Sequence, residues 1–153
     1  MALPQEKCYT MADVLDWDGQ ERVELIDGYP VMMAPPARVH QEISGELFAQ
    51  LHAYLKGKQC KVFAAPFAVR PFEQEWDYPE DVYTMVEPDI SVICDSSKLD
   101  AAGCKGAPDL VMEILSPSTI RHDQFTKFNL YQRAGVREYW IVNPAEKSVQ
   151  VFL

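Results

Sequence analysis

The sequence predicts an α/β (α+β mixed) fold: a helix, three strands, a helix and a strand around a mixed β-sheet, preceded by a short helix and a β-hairpin. Three observations carry this. Residues 38–56 repeat apolar side chains at helical spacing, with Val39, Ile43, Leu47, Leu51, Tyr54 and Leu55 on one side. VEPDISVIC (86–94) and DLVMEIL (109–115) are short apolar runs bounded by turn residues, as buried strands are. Asp27-Gly28 lies between two further strand-like runs, the strongest short-range hairpin signal.

In chain order, Thr10 to Trp17 reads as a short helix with Thr10 as N-cap and Asp13 in its first turn. RVELIDGYPVMMAPP supplies the hairpin, which extends or flanks the sheet. After the helix at 38–56, VFAAPFAVR (62–70) is strand-like, and Pro66 places it at an edge or bulge. The strands at 86–94 and 109–115 follow. A helix is expected from about Arg121 to Ala134, stopped by Gly135. EYWIV (138–142) is a strand and SVQVF (148–152) begins another, at an edge or a truncated end. No boundary divides the chain, so a single domain over 1–153 is expected, with 1–36 as an N-terminal extension and 37–153 as the core.

A chain of 153 residues, 48% hydrophobic, can bury a real core. No apolar run approaches the ~18 residues of a spanning helix, and MALPQEKCYT has no signal-peptide core. The expected location is cytoplasmic. Cys8, Cys60, Cys94 and Cys104 are widely spaced, so reduced thiols are expected and a structural zinc site is not. The net charge of −9 opposes non-specific affinity for nucleic acid, which depends on Lys and Arg neutralising phosphates. Residues 73–89 hold seven carboxylates and no base; before Val86 this reads as a solvated acidic loop.

Two acidic residues fall where solvated ones do not. Glu113 lies between Val111 and Leu115 on one face of an otherwise apolar strand, where a carboxylate loses several kcal/mol of hydration. Asp89 is expected mid-strand, sharing a face with Glu87, Ser91 and Ile93. If the two strands are neighbours, the carboxylates approach within about 4–5 Å. At an effective dielectric near 20 they then repel by roughly 3–4 kcal/mol. Either one is protonated with a raised pKa or a divalent cation lies between them, and all-oxygen ligands suit magnesium or manganese. The plainer alternative is that Asp89 starts a turn and Glu113 pairs with an arginine.

On the helix near 121–134, Asp123, Lys127, Leu130, Tyr131 and Ala134 fall in one arc, so Lys127 sits inside an apolar stripe. Its ammonium either snorkels out, pairs with Asp123, or points at the carboxylates. His40 precedes Ile43 and Leu47 at i+3 and i+7 and faces inward. Glu24, between Val23 and Leu25, is a candidate of the same weight.

Taken together, RVELIDGYPVMMAPP, His40, VEPDISVI, PDLVMEILSPST, Lys127 and LYQRAGVREYWIVNP resemble the Uma family of restriction endonuclease-like proteins, within the PD-(D/E)XK nuclease superfamily. The resemblance covers nearly the whole chain and implies a restriction endonuclease-like core. It implies that Asp89 and Glu113 are the metal-binding carboxylates, with the backbone carbonyl of Ile114 as a further ligand. The usual superfamily lysine, two residues after the glutamate, falls at Leu115 and is absent; Lys127 supplies the ammonium instead. Glu24 and His40 match motif positions as supporting or orienting groups.

The implied activity is hydrolysis of DNA phosphodiester bonds with Mg2+ or Mn2+; cutting both strands would need a homodimer or higher homo-oligomer, or two encounters, and no sequence feature marks an interface. Two alternatives stand beside it. One is a nuclease-like fold used for binding or assembly with little catalysis, which the acidic surface favours. The other is a magnesium-dependent hydrolase of a different phosphoester, because fold does not fix substrate.

Overall fold

The structure, a computed structural model, describes residues 7–17, 19, 22–117 and 122–153. Helix α1 (Met11–Leu15) is capped as its sequence predicts: the Asp13 carboxylate accepts from the Thr10 backbone N–H at 2.8 Å. Met11 buries its side chain against Leu25, Val82 and Met85. Strands β1 (Val23–Ile26) and β2 (Tyr29–Met32) form the hairpin, and both turn residues, Asp27 (φ 49°) and Gly28 (φ 84°), take the positive φ that a tight two-residue turn requires. Leu25 and Met85 exchange backbone hydrogen bonds of 2.8 and 2.7 Å. The hairpin therefore flanks the main sheet instead of adding strands to it.

Helix α2 (Arg38–Leu55) packs on β3 (Lys61–Ala64). Its apolar stripe is half-buried only, with His40, Ile43, Ser44, Leu47, Phe48 and Leu51 turned inward. Val39 and Tyr54, expected on that side, are 48% and 68% exposed; each lies one residue in from an end of the helix. VFAAPFAVR is not one strand. It breaks around Pro66 into β3 and β4 (Ala68–Arg70), which join different sheets.

The main sheet has five strands in the order β10-β9-β8-β5-β3, where β5 is Ile90–Ile93, β8 Leu110–Ile114, β9 Glu138–Asn143 and β10 Ser148–Phe152. Strands β8 and β9 are parallel and the other neighbours antiparallel, so the sheet is mixed as expected. The connection from β8 to β9 carries one π-helical turn (His122–Lys127) running into α3 (Phe128–Ala134), which ends at Gly135 with φ 84°. The expected helix start at Arg121 lies outside the described residues. A second sheet, β4-β7-β6, uses β6 (Leu99–Asp100) and β7 (Gly103–Lys105), two strands of two and three residues that carry no periodic signal of their own. The core between α3 and the sheet includes Ile93, Val111, Leu115, Leu130, Tyr131, Tyr139 and Ile141.

Two local expectations are corrected. Asp89 lies in a bend just before β5 and not in mid-strand: its carbonyl still accepts from Ala65 N at 3.0 Å, in register with β3, but toward β8 its side chain takes the Ile114 N–H, and the β5–β8 pairing ends at Ile90. The thiols are not all reduced: Cys60 and Cys94 form a disulfide, and Cys8 and Cys104 are free. The pairing of Lys61 with Ile93 sets Cys60 opposite Cys94 across β3 and β5, a juxtaposition that a separation of 34 residues conceals.

Candidate active site

Strands β5 and β8 are neighbours, and Ile90 pairs with Met112. One step further along, the register brings Asp89 opposite Glu113. The bend holds Asp89 firmly: its Oδ2 accepts from Ile114 N at 2.7 Å, and His40 Nε2 lies 3.1 Å from Oδ1. His40 reaches it from the first turn of α2, so the inward reading of that histidine is correct.

Glu113 is 4% exposed and Lys127 1%. The lysine does not snorkel; its Nζ donates to Glu24 Oε2 at 2.8 Å and to Glu113 Oε1 at 3.2 Å. Glu113 thus pairs with a lysine, not an arginine. Glu24 points away from the neighbouring Leu25, as alternation along β1 requires, and its Oε2 also accepts from Glu87 N at 2.9 Å. The Glu87 side chain in turn accepts from Arg22 Nε at 2.7 Å. One buried ammonium therefore serves two buried carboxylates, with Asp89 as a third acid beside them.

Tyr131 completes the cluster. It follows Lys127 by one helical turn, is fully buried, and donates its phenol O–H to Glu113 Oε1 at 2.7 Å. Burial pushes its pKa well above the usual phenol range, and the negative charges of Glu113 and Glu24 push it further, so the phenol keeps its proton. The sequence placed Tyr131 on the inward arc without giving it a role; the signal was a hydroxyl in an apolar stripe, which needs a partner when buried. Arg22 and Glu87, 65 residues apart, carry no comparable signal.

These groups meet at a cleft of about 550 Å³. Glu24, Asp89, Glu113 and Ile114 line its polar side, with His40 and Ser44 of α2 beside them and the apolar segment from Val31 to Ala37 as the facing wall. Lys127 is packed behind the two glutamates and does not line it. Among the described residues no three His, Cys, Asp or Glu side chains form a closed metal cluster. Two opposed carboxylates are nevertheless a fit donor set for magnesium, which usually keeps several waters and takes only one or two carboxylates together with substrate phosphates.

A mixed sheet of this order with helices against it and an acidic pair at a cleft is the restriction endonuclease-like fold. The chain belongs to the Uma2 family, described as "Putative restriction endonuclease", whose model matches residues 11–153. It is 27% identical over 143 residues to the uncharacterized protein slr1290 of Synechocystis sp., covering 92% of this chain and 71% of that protein. The crystal structure of a "putative nuclease belonging to DUF820" from Anabaena variabilis superposes with a TM-score of 0.72, at 20% identity, over 94% of this chain and 78% of that one. At that identity the likeness shows the fold. Family and fold together support a nuclease. No helix among the described residues is long and apolar enough to cross a membrane.

Proposed function

We propose that this protein is a magnesium- or manganese-dependent endonuclease hydrolysing DNA phosphodiester bonds at the cleft that contains Asp89 and Glu113. The observation that carries the reading is the acidic pair itself, set opposite one another on adjacent strands and facing a cleft, with a buried ammonium behind. Asp89, Glu113 and the carbonyl of Ile114 would hold the cation. When bound, such an ion neutralises phosphate charge and lowers the pKa of a bound water.

The chain's own residues do the rest. Ile114 N and His40 fix the Asp89 carboxylate from two sides, so it needs little reorganisation to act as a ligand. Lys127 donates to Glu24 and Glu113 and adds positive potential behind them, where charge develops on the phosphate. The apolar wall from Val31 to Ala37 limits water and leaves room for sugar and base. Cutting both strands of a duplex would take two such sites in a homodimer or higher homo-oligomer, or two successive encounters with one site.

The burial of Lys127 favours one second reading, a nuclease-like fold that binds without turnover. A single assay separates the two. Plasmid and single-stranded DNA are incubated with magnesium, manganese or EDTA, using wild type and the Asp89→Ala, Glu113→Ala double variant. Cleavage that needs metal and disappears in the variant is expected. Cleavage in EDTA, or equal cleavage by the variant, contradicts the proposal; no cleavage under any condition while DNA and metal still bind supports the second reading.

A further inference from the structure

Two donors from neighbouring turns of one helical segment converge on a single carboxylate oxygen, and a third contact links them to each other. Tyr131 O–H donates to Glu113 Oε1 at 2.7 Å, Lys127 Nζ donates to the same oxygen at 3.2 Å, and Lys127 Nζ lies 3.4 Å from the Tyr131 oxygen. The phenol has one proton to give. The shorter contact assigns it to Glu113, which leaves its lone pairs for the ammonium. The ring is closed: lysine to phenol, phenol to carboxylate, lysine to carboxylate. Its geometry comes from the chain. The π-helical turn ends at Lys127, and α3 then sets Tyr131 four residues on, over the same spot on β8. A π turn of this kind breaks the helical phase and is common at functional sites.

We propose that Tyr131 is a positioning residue for Glu113: it fixes the orientation in which that carboxylate presents itself to a divalent cation. This rests on the metal-binding reading above. A lysine alone cannot do it, because an ammonium is a point charge with rotatable donors and fixes distance better than angle. The phenol ring is rigid and wedged against Tyr139, with centroids 5.0 Å apart, so its O–H direction is set by packing.

The test is calorimetric titration of manganese chloride into the full chain, comparing wild type, Tyr131→Phe, Glu113→Gln and the double variant. Phenylalanine keeps the ring and its packing on Tyr139 and removes only the hydroxyl. Loss of such a supporting hydrogen bond typically costs about 10–100-fold in metal affinity, and that is the expected rise in Kd for Tyr131→Phe. If Tyr131 acts through Glu113, the effect vanishes in the Glu113→Gln background, since coupled residues are non-additive. A purely structural role predicts the same loss in both backgrounds. Unchanged manganese affinity in Tyr131→Phe, or additive losses in the double variant, overturns the inference while leaving the metal site standing. Failure of the wild type to bind manganese overturns the reading on which it rests, and the inference with it.

Discussion

Among the described residues two cations, Arg70 and Lys127, are buried, each between two carboxylates, and only the lysine group lies against the cleft. Arg70, 4% exposed, bonds Glu73 through Nε at 2.9 Å and Asp100 through its terminal nitrogen. Lys127 does the same with Glu24 and Glu113. The charge count is identical. What differs is the surroundings: the arginine group ties β4 to β6 in the small sheet and lies away from the cleft, and Asp100 is 39% exposed and keeps much of its water. The lysine group has both acids buried, a third acid beside it, and a cleft against its carboxylates. What sets the lysine group apart is that its excess negative charge faces a cleft. The cation differs too: a planar guanidinium holds its donors in a fixed fork, whereas an ammonium on a flexible stem holds its partners less rigidly.

The comparison is broken most directly by removing each cation. Lys127→Met leaves two buried carboxylates without their ammonium and should cost about 3–5 kcal/mol of stability in metal-free buffer, measured by urea unfolding. In the variant that still folds, DNA cleavage should drop by roughly 10²–10³. Stability and turnover that both match wild type would remove Lys127 from the account.

Replacing Asp89 and Glu113 by Asn and Gln should abolish the stabilisation by added magnesium. In the wild type that stabilisation should reach about 2.7 kcal/mol at a hundredfold excess over Kd. A variant that still gains as much places the cation elsewhere. Arg70→Met should cost roughly 1.5–3 kcal/mol, the usual value of hydrogen bonds to charged groups, and should leave cleavage per folded molecule unchanged. A large loss of activity there would erase the distinction between the two clusters. The smallest effect belongs to the half-exposed Arg22–Glu87 pair, where Glu87→Gln should change stability by no more than about 1 kcal/mol. Thermal melting checks it, and a larger loss would make this pair part of the site's frame.

Much of this was legible before any coordinates. Asp27-Gly28 fixed the hairpin because only a few dipeptides accept two positive φ values in succession. Glu113 and Lys127 stood out because each violates the pattern of the element that carries it, and the structure explains both violations by pairing them. The strands β6 and β7 were not legible, because two or three residues are too few for a period. The split of β3 from β4 and the Cys60–Cys94 bond were hidden for a related reason: each depends on which strands meet across the sheet. Asp89 was placed on the right face and too deep in its strand, since the β5–β8 pairing stops at Ile90 and the Asp89 side chain, not its backbone, takes the Ile114 N–H. Tyr131 was visible as a position and silent as a function, because its role exists only once Glu113 lies beneath it.

The central claim is that the acidic cleft admits a phosphate only after a cation has bound. With a net charge of −9, and with Asp89 and Glu113 opposed at the cleft, metal-free docking of a phosphate should be opposed by a few kcal/mol at an intermediate dielectric. Fluorescence anisotropy of a labelled short duplex tests this directly, in EDTA and in calcium, on wild type and the Asp89→Asn, Glu113→Gln variant. Wild type should bind weakly in EDTA even at low salt and more tightly with calcium, and the variant should bind more tightly than wild type without metal. Tight metal-free binding by wild type, or weaker binding by the variant, would show that DNA docks away from these carboxylates.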